Sequence, residues 1–378
     1  MIAPVAAAGL AALVPFAGIV SNPLTGVGTR VGCFHPLSLR AASSPVVIGE
    51  YHHAWSVSPD GSRVALGISA PGATARVGVR VVELGSWTAE LDVETGIAAA
   101  GLAWLTDRRL VAGLLDRSIV LLDPVTGAVV DRWSEGSGED AATARTRRRF
   151  LTLVTGRRVG RLSVVDARGR LRRLSLRIPA DGPAGRRLRP ALVAHPRRER
   201  AYVVMDARTV IDIDLHQMRV RRIRVRPAPR PVERAGEVGF RRWQAIWLGG
   251  GRIALSGHDQ VSRRGGRAAT VPAGLGTIDT RSGAAVRIDA DANGVTRAPR
   301  RLLTYGLRGV RGYTLGGRRV FEVLRRKPVW NLDVAGRLAY AGTGTATYVI
   351  DTRSGRVRQR IPRWLDLDGV ISRRCPRP

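Results

Sequence analysis

The chain has 378 residues, enough for two ordinary domains or one large all-β architecture, and carries 62 basic against 30 acidic residues, a net charge of +32. Lys327 is the only lysine, so the basicity lies in arginines scattered through almost every segment, which is the usage of a GC-rich genome as much as a surface built for a polyanion. Two cysteines far apart exclude a zinc site of the CxxC type, and an aromatic content of 5% argues against a stacking platform for single-stranded nucleic acid.

Residues 1–30 begin "MIAPVAAAGLAALVPFAGIVSN" and carry no charge before Arg30. This segment reads as the hydrophobic region of an export signal, although a basic start and a clear small-residue cleavage site are missing. A membrane anchor, weakened by Pro4 and Pro15 and by marginal length, and a buried N-terminal segment are the competing readings. Residues 31–378 then form one domain. Cys33 is not a lipoprotein acceptor, because "TRVGC" places Arg30 where an apolar residue is expected.

Residues 44–50, "SPVVIGE", are a spare strand ahead of the first hairpin. From there a device repeats. In "IVLLDPVTGAVVDRW" a strand ends at Asp123, whose carboxylate can take backbone N–H groups just ahead, and Gly127 supplies the positive φ that closes the turn. The same turn recurs at Asp166 with Gly169, Asp279 with Gly283 and Asp351 with Gly355, and in weaker form at Glu83, Asp214 and Leu315. The spacing is roughly 40 residues, with one longer step between Asp214 and Asp279, and this is a propeller period.

The longer step holds "RPAPRPVERAGEVG" and "HDQVSRRGGRAATVP", which read as two long loops within one blade. Upstream of the hairpins sits a second pair of strands, as in "AWSVSPDGSRVALGI" with its turn at Asp60 and Gly61, and in "LAWLTDRRLVAGLL" and "AIWLGGGRIALSG". Two hairpins per period make a four-stranded antiparallel sheet, and seven periods predict an all-β, seven-bladed β-propeller with blades over about 44–365 and a short C-terminal tail. Residues 44–50 are expected to complete the blade formed by residues 329–360. Ring closure would bring Cys33 and Cys375 together, so a disulfide is expected, with two free thiols as the alternative.

"SVSPDGSRVALG" followed by hairpins of the form "IDTRSG" resembles the bacterial YVTN, TolB-like and quinoprotein-like β-propeller superfamily, over about residues 45–365. The WD40 signature is not matched. The resemblance raises two enzyme readings, a quinoprotein dehydrogenase and a propeller lactonase. Asp123, Thr126, Gly127 and Trp133 approach the quinoprotein docking motif, but the tryptophan falls two residues late and only one blade has it. No catalytic His, Arg and acid set maps onto the lactonase pattern, and fold analogy by itself is a weak warrant.

In a four-stranded meander the first and third turns share one face, so the "SPDG" and "DxxTG" turns are structural and a ligand site is expected on the opposite face, near the channel mouth. Candidates there are His52 and His53, Asp116 and Arg117, Asp206 and Arg208, His258 and Asp259, and Thr343 with Thr345, each of which also reads as ordinary solvated loop. No metal ligand set, no catalytic residue and no cofactor is expected. "LGGGRIALSG" is glycine-rich without a following Lys-Ser/Thr, so it is no phosphate loop. The arginine runs "ARTRRRF" and "RVRRIRVRPAPR" read as solvated faces. The expected function is a secreted or envelope-associated, non-catalytic module binding a protein or cell-envelope polymer. The lactonase or quinoprotein enzyme, and a basic binder of nucleic acid or other polyanion, are the alternatives.

Overall fold

The structure, a computed structural model, describes residues 14–21, 28–48, 50–69, 77–135, 140–155, 159–177, 187–206, 208–226, 237–262 and 268–375. Its strands form eight sheets built on antiparallel four-stranded units, arranged as the blades of a propeller. The expected count of seven is therefore corrected to eight.

Blades 1 to 7 follow one another along the chain, over residues 50–94, 99–134, 140–177, 191–224, 237–289, 294–323 and 331–361. Each contains one of the hairpins recognised in the sequence. Blade 8 is assembled from both ends: Asp366–Ser372 is its inner strand, followed outward by Phe16–Ser21, Arg30–Phe34 and Val46–Val47. Counting hairpins misses this blade because its third and fourth strands are joined by residues 35–45, which carry no Asp-to-Gly turn.

Three further expectations change with it. Val46–Val47 closes blade 8 and does not join residues 329–360. The ring begins inside the expected export signal, since Phe16–Ser21 pairs with Arg30–Phe34 on one side and Asp366–Ser372 on the other. It also ends beyond residue 365, at Ser372.

Each hydrophobic cluster of the core lies between two consecutive blades. One joins blades 1 and 2 through Val79, Val81, Trp104 and Leu110, and another joins blades 7 and 8 through Tyr340, Val349, Phe16 and Phe34. The cluster containing Ile19, Val31, Leu66 and Val82 joins blade 8 to blade 1 and closes the ring. Burial of each such side chain contributes about 1.5–3 kcal/mol, so closure at the last interface is as strongly driven as the contacts within the ring. Specific bonds fix the register between blades. Trp104 Nε1–H donates to the Ser56 carbonyl at 3.0 Å, Trp55 Nε1–H to the Asp368 carbonyl at 3.2 Å, and the Tyr340 hydroxyl to the Pro36 carbonyl at 2.8 Å. Cys33 and Cys375 form a disulfide with a Cα–Cα distance of 5.7 Å, tying the third strand of blade 8 to the chain just past its inner strand.

Blade 5 accounts for the long repeat. Its first two strands, Glu237–Gly249 and Arg252–Ser262, are extended, and Ala268–Pro272 pairs back on the second of them. The stretch expected to be a loop after His258 is thus largely a hairpin. Residues 227–236 lie outside the described residues.

The turns have the chemistry that their residues imply. Asp123 Oδ1 accepts the N–H groups of Val125 and Thr126, Asp279 Oδ1 those of Arg281 and Ser282, Asp351 Oδ1 those of Arg353 and Ser354, and Asp166 Oδ1 those of Arg168 and Arg170. Gly127, Gly169, Gly283 and Gly355 have φ of 76°, 77°, 76° and 76°, and Gly61 of the Asp60 turn has 75°. In the weaker copies Trp87 and Met218 take the same left-handed conformation without being glycine, at φ 55° and 57°. Arginines of the fourth strand in blade 4, Arg219–Arg224, point outward while Ile223 is buried.

Candidate functional site

The first strand of each blade runs from the face of the long loops to the face of the structural turns, and the connections after the second and fourth strands return to the loop face. All ten candidate residues fall on the loop side, but they are spread over five blades. His52 and His53 lie in the inner strand Glu50–Val57 of blade 1, and their side chains are outside the described residues, as is that of Asp206. Asp116 is a turn acceptor: its Oδ1 takes the N–H of Ser118 at 2.9 Å and the Ser118 hydroxyl at 2.7 Å, with Arg117 at φ 71°. Arg208 is exposed, and its carbonyl accepts the Val225 N–H at 2.7 Å. Thr343 closes a tight turn, its N–H and hydroxyl both donating to the Ala346 carbonyl at 2.9 Å, while Thr345 is exposed. Asp259 is half-buried in the second strand of blade 5.

Of these, the structure brings His258 to a cavity. An opening of about 430 Å³ sits at the loop-side mouth of the central channel, lined mainly by inner strands or their leading residues from blades 3 to 7. Thr143 comes from blade 3, Leu192 from blade 4, Trp243 and Gln244 from blade 5, Asn293 from blade 6 and Trp330 from blade 7. His258 and Tyr305 add side chains from second strands. The Thr343–Thr345 turn abuts this site, because a Cβ built on Gly344 would lie 3.5 Å from Trp330 Nε1.

The side chains of Thr143, Gln244 and Asn293 are polar without an ionisable group. Gln244 Oε1 accepts the Val295 N–H at 3.4 Å, and the Asn293 backbone N–H donates to the Tyr305 carbonyl at 2.9 Å. Asn293 Oδ1 is buried and accepts no hydrogen bond from the protein. A buried acceptor left unsatisfied costs about 1–3 kcal/mol. Trp330 is 52% exposed whereas Trp243 is 4% exposed, so one indole presents a surface and the other forms a wall. Among the described lining residues none is Asp, Glu, Lys or Arg, in a chain where 24% of residues are charged.

Trp243, Gln244, Asn293, Tyr305 and Trp330 were not among the candidates. Their signal in the sequence is only that Trp243, Gln244, Asn293 and Trp330 lie in or just ahead of the first strand of a period and Tyr305 in a second strand, and facing the channel is a property of the ring and not of one repeat. Among the described residues there is no group of three or more His, Cys, Asp or Glu able to hold a metal ion, and no helix is long and apolar enough to cross a membrane.

The architecture and closure define the class of protein: a β-propeller. No family model matches the chain, and no curated protein matches it in sequence. Solved structures share its fold. Dihydro-heme d1 dehydrogenase NirN in complex with DHE superposes with a TM-score of 0.59 at 16% identity, over 94% of this chain and 75% of that one. BamB from Moraxella catarrhalis gives 0.53 at 12% identity, over 87% of this chain and 97% of that one. Sqt1 from Saccharomyces cerevisiae gives 0.54 at 12%, over 83% and 86%. At these identities the likeness is one of fold, shared by proteins with different names and tasks.

Proposed function

We propose that the protein is an exported, non-catalytic binding module that takes a neutral, hydroxyl-rich segment of a cell-envelope polymer at the channel mouth. One observation carries this reading: an opening of about 430 Å³ whose described lining residues include aromatic rings and side-chain amides and no Asp, Glu, Lys or Arg, in an arginine-rich protein. Aromatic faces pack against the C–H faces of sugar rings, and amides such as Gln244 and Asn293 pair with hydroxyls. A few placed polar groups among aromatic ones is the usual make-up of a small-ligand site. Charged polymers would gain nothing from this lining and would have to give up water to enter it. Export is supported by the Cys33–Cys375 bridge, since such bonds persist in oxidising compartments.

The test is calorimetric titration of the full chain with neutral oligosaccharides released from the envelope. Binding should be nearly insensitive to salt, and Trp330→Ala should weaken it tenfold or more while leaving the melting temperature unchanged. Affinity that falls linearly with salt on a log–log scale, or that ignores Trp330, would contradict the proposal and favour polyanion binding. Saturable binding of an unfolded peptide in place of any saccharide would reassign the site to a protein partner.

A further inference from the structure

The face of the structural turns holds a second cavity, of about 470 Å³, between blades 4 and 5. Its rim is made by the first turns of the two blades, around His195–Arg200 and Gly249–Arg252, with Thr280 and Arg281 from the third turn of blade 5. The chemistry is the reverse of that at the channel mouth. Arginines 197, 198, 200, 221, 281 and 297 all line it, and among the described lining residues none is acidic.

These guanidiniums fall into two sets. Arg200 and Arg221 each place a nitrogen 3.1 Å from Asp212 Oδ2, and Arg297 donates to the Trp247 carbonyl at 3.0 Å, so these three are held in position. The side chains of Arg197, Arg198 and Arg281 have no hydrogen-bond or carboxylate partner among the described residues, and they converge on one cavity. Its wall is aromatic. Tyr202 stacks on Trp247 with ring centroids 5.5 Å apart and planes at 12°, and His195 packs against the same indole at 4.4 Å.

Space is kept open by backbone. Gly249, Gly250 and Gly251 all have positive φ, 93°, 61° and 80°, so the turn admits no ordinary side chain that would fill the pocket. Burial, then Arg198, Arg200 and Arg197, hold the His195 imidazole below its ordinary pKa, as a site of positive potential would. Guanidiniums bind phosphate oxygens with paired N–H groups, and a rigid fork loses little freedom on doing so.

We infer that this pocket between blades 4 and 5 binds a small ligand carrying a diphosphate group, held by Arg197, Arg198 and Arg281. The three guanidiniums come from two blades, Arg197 and Arg198 from blade 4 and Arg281 from blade 5, so two linked phosphates can be met from both walls at once, and the volume lies within the range of about 300–1,000 Å³ found for small-molecule sites. The assignment is independent of the channel mouth and concerns the opposite face.

Inorganic pyrophosphate is the probe, titrated calorimetrically into the full chain at fixed ionic strength. One site is expected, with orthophosphate at least tenfold weaker. Arg198→Ala with Arg281→Ala should weaken pyrophosphate tenfold or more. Arg353→Ala with Arg356→Ala removes the same charge from the exposed third turn of blade 7 and should change affinity less than twofold. Equal loss in both double variants, many weak sites, or equal affinity for orthophosphate and pyrophosphate would overturn the inference. A single-stranded oligonucleotide that displaces pyrophosphate at matched phosphate concentration would also overturn it, by assigning the face to a nucleic-acid strand.

Discussion

Asp351 shows how much a single turn residue carries. Its burial would raise the carboxyl pKa, but the Ser354 N–H, the Arg358 guanidinium, the Ser354 hydroxyl and the Arg353 N–H override that and bring it from 3.8 to about 2. A group depressed in the folded state stabilises it fully above the unfolded pKa, and the contribution is lost as pH falls through the folded value. Asp351→Asn should therefore lower the denaturation midpoint near neutrality, and the gap from the wild type should close between about pH 4 and pH 2. A gap that stays constant to pH 2 would mean that the charge does not matter. Glycine turns differ by what surrounds them. A Cβ on Gly61 meets nothing within 4 Å, whereas one on Gly283 would sit 2.0 Å from the Arg224 carbonyl. Gly61→Ala should cost about 1–2 kcal/mol for its left-handed backbone, and Gly283→Ala distinctly more, measured by urea unfolding. Both turns are legible in the sequence because an Asp followed by a Gly at fixed spacing acts locally. The burial of Asn293 Oδ1 is not legible, because it depends on residues from another strand of the ring.

At the scale of elements, the N-terminal strand is the informative case. Phe16–Ser21 is buried at every position, as a second strand packed between neighbouring blades must be. Such a strand reads as a continuous apolar run, without the alternation of a half-solvated sheet, and in that respect it is indistinguishable from the core of an export signal. Its partners, Arg30–Phe34 and Asp366–Ser372, are what decide, and one of them lies at the other end of the chain. Ile19 is fully buried, so Ile19→Ala should cost about 2–5 kcal/mol. Val14 is 61% exposed, and Val14→Ala should leave stability within about 0.5 kcal/mol of the wild type. Equal, small effects in thermal or urea unfolding would remove the strand from the ring. The seven hairpins were legible because each is contiguous. The eighth blade was not, having a two-residue outer strand, Val46–Val47, and no Asp-to-Gly turn before it.

For the whole molecule, closure and recognition are the two consequences of the ring. The Cys33–Cys375 bridge spans 342 residues and joins the third strand of blade 8 to the chain just past its inner strand, so its reduction releases chain entropy into the unfolded state. Reduction, or Cys33→Ser, should lower unfolding free energy by about 2–5 kcal/mol in guanidinium titrations, with the native fold retained. The candidate site was legible only in its face: His258 was singled out, whereas the tryptophans and amides beside it required the ring to be assembled. By their described lining residues the channel-mouth cavity and the cavity among the turns differ in charge, the first without Asp, Glu, Lys or Arg and the second rich in arginine.

The most direct measurement is hydroxyl-radical footprinting of the full chain with and without neutral envelope oligosaccharide, read by peptide mass spectrometry. Channel-mouth recognition predicts strong protection of Trp330, which is 52% exposed in the free protein, and none of the exposed outer-strand residues Val129 and Val130. An unprotected Trp330 under saturating ligand, or protection confined to the turn face or the outer strands, would contradict it.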